Sequence, residues 1–390
     1  MFIDLTAEQR AFRDDLRKYF VDLMTPDVQA RLHSMQPDVR LWREVYRKIG
    51  SDGWLGASWP PEYGGKGQSP IESLIFLDEA RRVRAPIPTL TIAAVGPTLM
   101  RHGTESQRQK YLPGILRGEI VFAIGYSEPD AGTDLASLRT TAVHRDAGYQ
   151  ISGQKVFTSD ANIADYIWLA ARTGGGDRHR GISIFIVSTS AQGVTISPIY
   201  TVAGYRTNAV FLDEVLVSGD DLVGTEDEGW GLIRTQLNYE RVNLCLPAMV
   251  EGPLDDVRRW AAETRLPDGQ CVDDQDWVRM NLAEAYAKFQ VLKLINWKVA
   301  WSLEAGTFNQ AEASMTKVYG TEACIEIFRL LLEILEEPGY LQATSPGCVV
   351  RGRLEEAYRR ALIFTFAGGT NEVQREMIAW SGLGVPRSPR

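Results

Sequence analysis

Long apolar runs are missing from this chain. The longest, such as Ile182 to Val187, fall far short of the roughly 20 residues a membrane-spanning helix needs, so no membrane span is expected. Cysteine is scarce. Cys245, Cys271, Cys324 and Cys348 are the only four. None pairs as Cys-x-x-Cys and none has a histidine at metal-ligand spacing, so reduced thiols are expected and a metal site is not. Positive charge is not in excess either. Lys and Arg number 42 against 50 Asp and Glu, for a net charge of −8 and a pI near 5.3. That argues against a nucleic-acid partner held through its phosphates, while leaving room for a small basic pocket around a phosphorylated ligand. Asp4 and Glu8 stand ahead of any apolar stretch, unlike a signal peptide, and a cytoplasmic protein is the expectation. Low-complexity tracts and internal repeats are absent.

The 390 residues, 44% hydrophobic and 24% charged, have the composition of an ordinary soluble globular protein, and their length suggests two or three structural units. Residues 1 to about 120 read as helical. Thr6 and Gln9 fit a capping box, with Phe12, Leu16 and Phe20 following at helical spacing. The Gly/Pro-rich stretch from Trp59 to Gly67 reads as a loop. Helical patterning resumes from Ile71 to Arg84 and again ahead of Tyr111-Leu112-Pro113. From about 121 to 223 the texture changes to short β-rich runs, Tyr166 to Ala170, Ile182 to Val187 and Val210 to Val217. Gly, Asp and Ser clusters divide them, as in an antiparallel barrel or sandwich. Helical periodicity returns near 228 and persists to about 380. This gives a mainly α chain with a central β-domain: helices over 1–120, strands over 121–223 and helices over 224–390. The absence of βαβ alternation argues against a doubly wound nucleotide fold.

Three features can carry chemistry. The stretch Tyr126-Ser127-Glu128-Pro129-Asp130-Ala131-Gly132-Thr133-Asp134 can aim backbone N–H groups and hydroxyls at an anionic or carbonyl-rich ligand, although a surface turn uses the same residues. In Gly153 to Asp160, Phe157 followed by Ser159 can cover a flat ring and hydrogen-bond its edge; the alternative is a strand with one buried Phe. Ile233, Leu237, Glu240 and Leu244 are spaced by four, three and four residues and share one helical face. Glu240 therefore interrupts an apolar stripe, where a carboxylate is costly unless paired or functional. Burial would raise its pKa and suit it to removing a weakly acidic C–H proton. The alternative is an ion pair with a neighbouring Arg.

Over nearly its whole length the chain resembles the acyl-CoA dehydrogenase family. The motifs that carry the resemblance run in order: Trp59-Pro60 to Gly67, Gly103-Thr104-Glu105 to Tyr111-Leu112-Pro113, Ser127-Glu128-Pro129 to Thr133-Asp134, and Gly153-Gln154-Lys155. Phe211 to Gly224 with Gly229-Trp230, and Gly369-Thr370-Asn371-Glu372-Val373-Gln374-Arg375, complete the series. The resemblance implies FAD between the β-domain and the C-terminal helices, with flavin contacts at Tyr126, Ser127, Thr133, Phe157 and Ser159 and dinucleotide contacts at Thr370 and Glu372. Phe157 stands where Trp is more usual and keeps an apolar π-face. Many members carry their catalytic Glu just before the Gly-Thr of the last motif, where this chain has Gly368. A minority places it on the helix that here holds Glu240-Arg241, so the resemblance makes Glu240 the base. Gly368 would give its backbone N–H to the thioester carbonyl.

The implied reaction converts an acyl-CoA to a trans-2-enoyl-CoA, with electrons passed to an electron-transfer flavoprotein. Asn238 to Val242 together with Phe366 to Arg375 look most like the flavin-site subunits of actinobacterial heterotetrameric dehydrogenases acting on steroid side-chain CoA esters. Two segments point to an unlike partner chain. Thr264-Arg265-Leu266-Pro267 stands where homomeric relatives use Arg-x-x-Phe to hold a neighbour's FAD, and Glu336-Glu337 replaces two glycines of their Gly-Gly turn. Other readings are a non-catalytic scaffold subunit and an oxygen-using oxidase.

Overall fold

The structure, a computed structural model, describes residues 4–33, 37–146, 148–175, 178–243 and 245–386, with the side chains of all of these except 238–243. Helix α1 (Ala7–Leu23) begins at the expected capping box. Gln9 donates its backbone N–H to Thr6 Oγ1 at 3.2 Å, and Thr6 returns its own to Gln9 Oε1 at 3.0 Å. Leu16 and Phe20 are the buried face. After α2 (Pro26–Leu32) and α3 (Val39–Ser51) comes the Trp59–Gly67 break. It holds one turn of 3-10 helix at Pro61–Tyr63 and is pinned by buried Trp59, whose indole N–H donates to the Ile92 carbonyl at 2.8 Å. Helix α4 (Pro70–Arg82), a π-helical turn at Thr91–Val95, α5 (Gly96–His102) and α6 (Glu105–Leu116) complete the first helical layer.

The strands are β1 (Phe122–Gly125), β2 (Thr141–Arg145), β3 (Gly148–Lys155), β4 (Tyr166–Arg172), β5 (Ile182–Ser188), β6 (Val194–Tyr200), β7 (Arg206–Ser218) and β8 (Leu222–Val223). They form one sheet in the order β6-β7-β3-β2-β4-β5-β8, with β1 beside β4. The expectation of a wholly antiparallel sheet needs correcting. β1 runs parallel to β4, with Phe122 opposite Tyr166 and Gly125 opposite Leu169, and β2 meets β4 in parallel at Thr141 and Arg172. The cause is the long excursion between β1 and β4. It contains the β2–β3 hairpin and returns the chain to the sheet in its original direction. β4 and β5 are buried from Ile167 to Ala171 and from Ile182 to Val187, apolar throughout except for Ser183, as strands covered on both faces should be.

Six further helices follow among the described residues: α7 (Gly229–Asn243), α8 (Ala248–Glu263), α9 (Asp276–Glu304), α10 (Gln310–Gly339), α11 (Arg353–Phe364) and α12 (Asn371–Met377). Helix α7 lies at the junction of all three layers, packing on the Thr91–Val95 turn, on β5 and on α10. The layers are also tied by charge. Buried Glu79 of α4 meets Arg17 of α1 at 2.6 Å and Arg82 at 3.3 Å, while Arg82 reaches Glu251 of α8. Asp78 accepts the Ala248 N–H at 2.8 Å, and Arg43 meets Asp165 at 2.9 Å. Among the described residues no helix is long and apolar enough to cross a membrane.

Candidate functional site

The loop that leaves β1 is clamped from inside. Glu128 and Ala131 exchange backbone hydrogen bonds at 2.9 and 3.1 Å, and the Ser127 carbonyl accepts the Val156 N–H at 2.9 Å. Beneath the loop the Glu128 carboxylate accepts from the backbone of Arg139 at 2.6 Å, the backbone of Thr140 at 2.9 Å and the Lys155 ammonium at 2.8 Å. Lys155 also donates to the Tyr126 carbonyl at 3.1 Å. Both charges are buried. Burial pushes Lys155 down to about 8 against the pull of Glu128. Glu128, despite its own burial, is held below the usual carboxylate range by Lys155 and the two N–H donors. This pair couples the two β-domain motifs, and no pattern at sequence level singled it out, because each motif holds more than one charged residue and nothing local marks Glu128 and Lys155 as partners.

Removing one partner of a buried pair strands the other charge, at a cost of about 3–5 kcal/mol. Lys155→Met is therefore expected to lower the denaturant midpoint strongly. Lys155→Met with Glu128→Gln, which leaves no buried charge, should recover much of the loss. Equal losses in the single and double variants would contradict the coupling.

The clamp presents Ser127 half-buried and Thr133 exposed at the loop tip. Tyr126 behaves differently. Its side chain is buried, and its hydroxyl accepts from the Trp168 indole at 3.1 Å and donates to Gln236 Oε1 on α7. The phenol thus ties the first motif to the helix that carries Glu240.

The second motif follows β3. Phe157 adopts φ 56 and is 65% exposed, so the alternative of a buried strand Phe does not hold. Left-handed backbone at a bulky residue is strained and persists here because its flanks are fixed. Thr158 donates its N–H to the Asn208 carbonyl, and Asn208 Nδ2 donates to the Thr158 carbonyl, both at 2.9 Å. Ser159 is exposed with its Oγ 3.4 Å from Thr207 Oγ1, and Asp160 accepts the Tyr205 hydroxyl at 2.6 Å.

The third motif is a turn between α11 and α12. Gly368 and Gly369 have φ 64 and 93, values that glycine reaches without strain. Thr370 caps α12 through its hydroxyl, which accepts the Val373 N–H at 3.4 Å. Glu372 is exposed; its carboxyl is held below the usual range by its own backbone N–H and then by the Thr370 hydroxyl. From α10, fully buried Lys317 donates to the carbonyls of Thr365 at 2.9 Å and Gly369 at 2.8 Å and to Asn371 Oδ1 at 2.6 Å. Sequence reasoning missed this residue. Its signal is helical spacing within a buried face, four residues after Ala313 and four before Thr321.

Glu240 lies in the helical backbone of α7, but its side chain is outside the described residues, as are those of Asn238, Tyr239, Arg241, Val242 and Asn243. Of its expected stripe, Ile233 is buried and Leu237 partly so, while Leu244 is also outside the described residues. Gln236, four residues before Glu240 and so on the same face, is fully buried. The first motif meets α7 through the Tyr126–Gln236 hydrogen bond, the Lys155–Glu128 pair joins the second motif to the first, and α10, which packs on α7, holds the third through Lys317.

Residues 6–119, 123–215 and 227–383 match, in order, the N-terminal, middle and C-terminal domain models of acyl-CoA dehydrogenase. The chain is 47% identical over 401 residues to acyl-CoA dehydrogenase FadE26 of Mycobacterium tuberculosis (strain ATCC 25618 / H37Rv), with all of both chains covered. It superimposes with a TM-score of 0.94 on a chain of the ChsE4-ChsE5 complex from Mycobacterium tuberculosis, 47% identical with all of both chains covered. It also superimposes with a TM-score of 0.94 on a chain of the Tcur3481-Tcur3483 steroid ACAD, 46% identical and again with full coverage of both. With its N-terminal, middle and C-terminal domains all matched in order, the chain belongs to the acyl-CoA dehydrogenase family and is an enzyme of that family.

Proposed function

We propose that this acyl-CoA dehydrogenase holds FAD through Tyr126, Ser127, Thr133, Phe157 and Ser159 at the ring system and through Thr370 and Glu372 along the dinucleotide, with Glu240 as its base. The observation that carries the flavin reading is Phe157, an aromatic face held outward by strained backbone with the exposed Ser159 hydroxyl two residues away. The residues fit a flat ring with a polar edge, and neighbouring Thr158 Oγ1 is buried with no hydrogen-bond partner. When bound, FAD supplies the hydride acceptor that the β-carbon requires. The protein's own part is to polarise and to deprotonate. The Gly368 N–H donates to the thioester carbonyl, drawing charge onto oxygen and acidifying the α-carbon. Glu240 takes the α-proton, and a trans-2-enoyl-CoA leaves. An electron-transfer flavoprotein is the proposed electron acceptor.

Glycine at 368 leaves no side chain beside the reacting carbons, which suits a bulky or branched acyl group. The name of a relative that includes steroid ACAD supports a steroid side-chain CoA ester. An unlike partner chain is supported by two relatives whose names pair two proteins. Met280, Val291, Leu294 and Trp301 are exposed along α9, a surface suited to covering by another chain of either kind.

The flavin reading is tested with Ser159→Ala and Phe157→Ala in the assembled, flavin-loaded enzyme. The first should shift the visible flavin spectrum, because a hydroxyl at the ring edge is lost. The second should weaken FAD retention several-fold, in line with about 0.5–1.5 kcal/mol for a ring contact beyond its buried area. Wild-type spectra and retention in both variants would remove the assignment.

A further inference from the structure

We propose that Lys317 is a positioning residue for the thioester site: its buried ammonium clamps the turn that carries the Gly368 N–H and so governs how strongly the acyl carbonyl is polarised. This rests on the reading of Gly368 as the carbonyl donor. A buried ammonium is costly unless its protons find acceptors. Lys317, with no exposed surface, offers three donors and meets three acceptors, the Thr365 carbonyl at 2.9 Å, the Gly369 carbonyl at 2.8 Å and Asn371 Oδ1 at 2.6 Å. The two carbonyls belong to the peptide planes on either side of residues 366 to 369. The plane that carries the Gly368 N–H lies between them.

That turn needs an outside hold. Gly368 and Gly369 both sit in left-handed conformations, φ 64 and 93, and glycine has the least backbone restraint of any residue. The rest of the same α10 face closes on the start of α12. Thr321 Oγ1 and Glu322 Oε1 each accept from Asn371 Nδ2 at 3.0 Å, Ser314 donates to Gln374 Oε1 at 2.9 Å, and Glu322 takes Arg375 at 2.7 Å on both of its oxygens. Lys317 is the member of this face that reaches back before the glycine pair, to Thr365. An N–H donor polarises a carbonyl only within a narrow range of distance and angle. Losing the clamp should therefore weaken polarisation of the bound thioester while α12 stays docked through Glu322 and Ser314.

The test uses the flavin-loaded enzyme purified with its partner chain, as wild type and as Lys317→Met. The reading is the carbonyl stretch, by difference infrared spectroscopy, of a bound acyl-CoA labelled with carbon-13 at the thioester. Wild type should lower the stretch relative to free ligand. Lys317→Met should lose most of that shift and lose kcat by roughly tenfold to a hundredfold, less than or equal to the loss from deleting an oxyanion donor outright, with KM little changed. If Lys317→Met does not fold, Lys317→Gln, which keeps two donors, should give a partial loss of the shift. A full wild-type shift in the folded variant overturns the role of Lys317 and leaves Gly368 standing. No shift in wild type overturns the Gly368 reading, and the proposal falls with it.

Discussion

Replacing Glu240 with Gln is expected to leave FAD bound and to slow bleaching of the flavin by an acyl-CoA by roughly a hundred- to ten-thousand-fold, the range set by a lost general base. The position usual for the base in the C-terminal motif is Gly368, which has no carboxylate. The only carboxylate on the apolar stripe of α7 is at 240, one turn beyond fully buried Gln236. Gln keeps the size and hydrogen-bonding reach of Glu but cannot accept the α-proton. The loss should therefore appear in the chemical step and not in substrate binding. Rapid mixing of the flavin-loaded enzyme with substrate under nitrogen reads it directly. Bleaching at near the wild-type rate would mean that another group is the base.

Expressed alone, the chain should retain only a small fraction of one FAD, and co-expression with the partner chain should restore it. The argument concerns the far end of the dinucleotide, which homomeric relatives hold with an Arg-x-x-Phe segment and a Gly-Gly turn of the neighbouring subunit. Here Arg265 is committed elsewhere. Its guanidinium donates to the Gly269 carbonyl at 2.9 Å, closing its own hairpin. Where the glycines would be, Glu336 takes φ 52 and ψ −147 inside the kink of α10. That is a backbone state glycine adopts at little cost and other residues do not, which supports the register of the resemblance at this point. Glu336 and Glu337 are both exposed. Two like charges ~4 Å apart repel by about 4 kcal/mol at an effective dielectric of ~20; solvent and salt reduce this at an exposed site. The missing guanidinium therefore weighs more than the repulsion. FAD content measured by absorbance against protein, with and without the partner, gives the answer. A lone homo-oligomer with one tightly bound FAD per chain would contradict it.

What was legible in the sequence was local. The Thr6–Gln9 capping box, the β-rich runs of β4, β5 and β7 and the Ile233–Leu237 part of the α7 stripe each depend on residues within a turn or a strand of one another. What was not legible depends on contacts made across the chain. The buried Lys155–Glu128 pair joins residues 27 apart, and the hydroxyl of Tyr126 meets Gln236 over a separation of 110. Lys317 reaches the Gly369 carbonyl across 52 residues. Nothing in helical or strand periodicity reports such pairings. Phe157 illustrates the same limit in another form. The sequence left open whether it covers a flat ring or is the one buried Phe of a strand, whereas the backbone turns left-handed there because Asn208, on β7, fixes the next residue. The parallel pairing of β1 with β4 was hidden because the strand texture does not encode the path of the connection between them.

The most direct measurement of the central claim follows both carbons of the substrate. A CoA ester with a branched steroid side chain, deuterated at the α-carbon, is mixed under nitrogen with the flavin-loaded assembly, and the CoA esters are read by mass spectrometry. The account predicts an enoyl-CoA that has lost the α-deuteron and one β-hydrogen, in amounts matching the bleached flavin. It also predicts no loss of α-deuterium in Glu240→Gln over the same time. Recovery of unchanged ester from a wild-type assembly whose flavin is fully bound, or α-deuterium lost as fast in the variant, would contradict it.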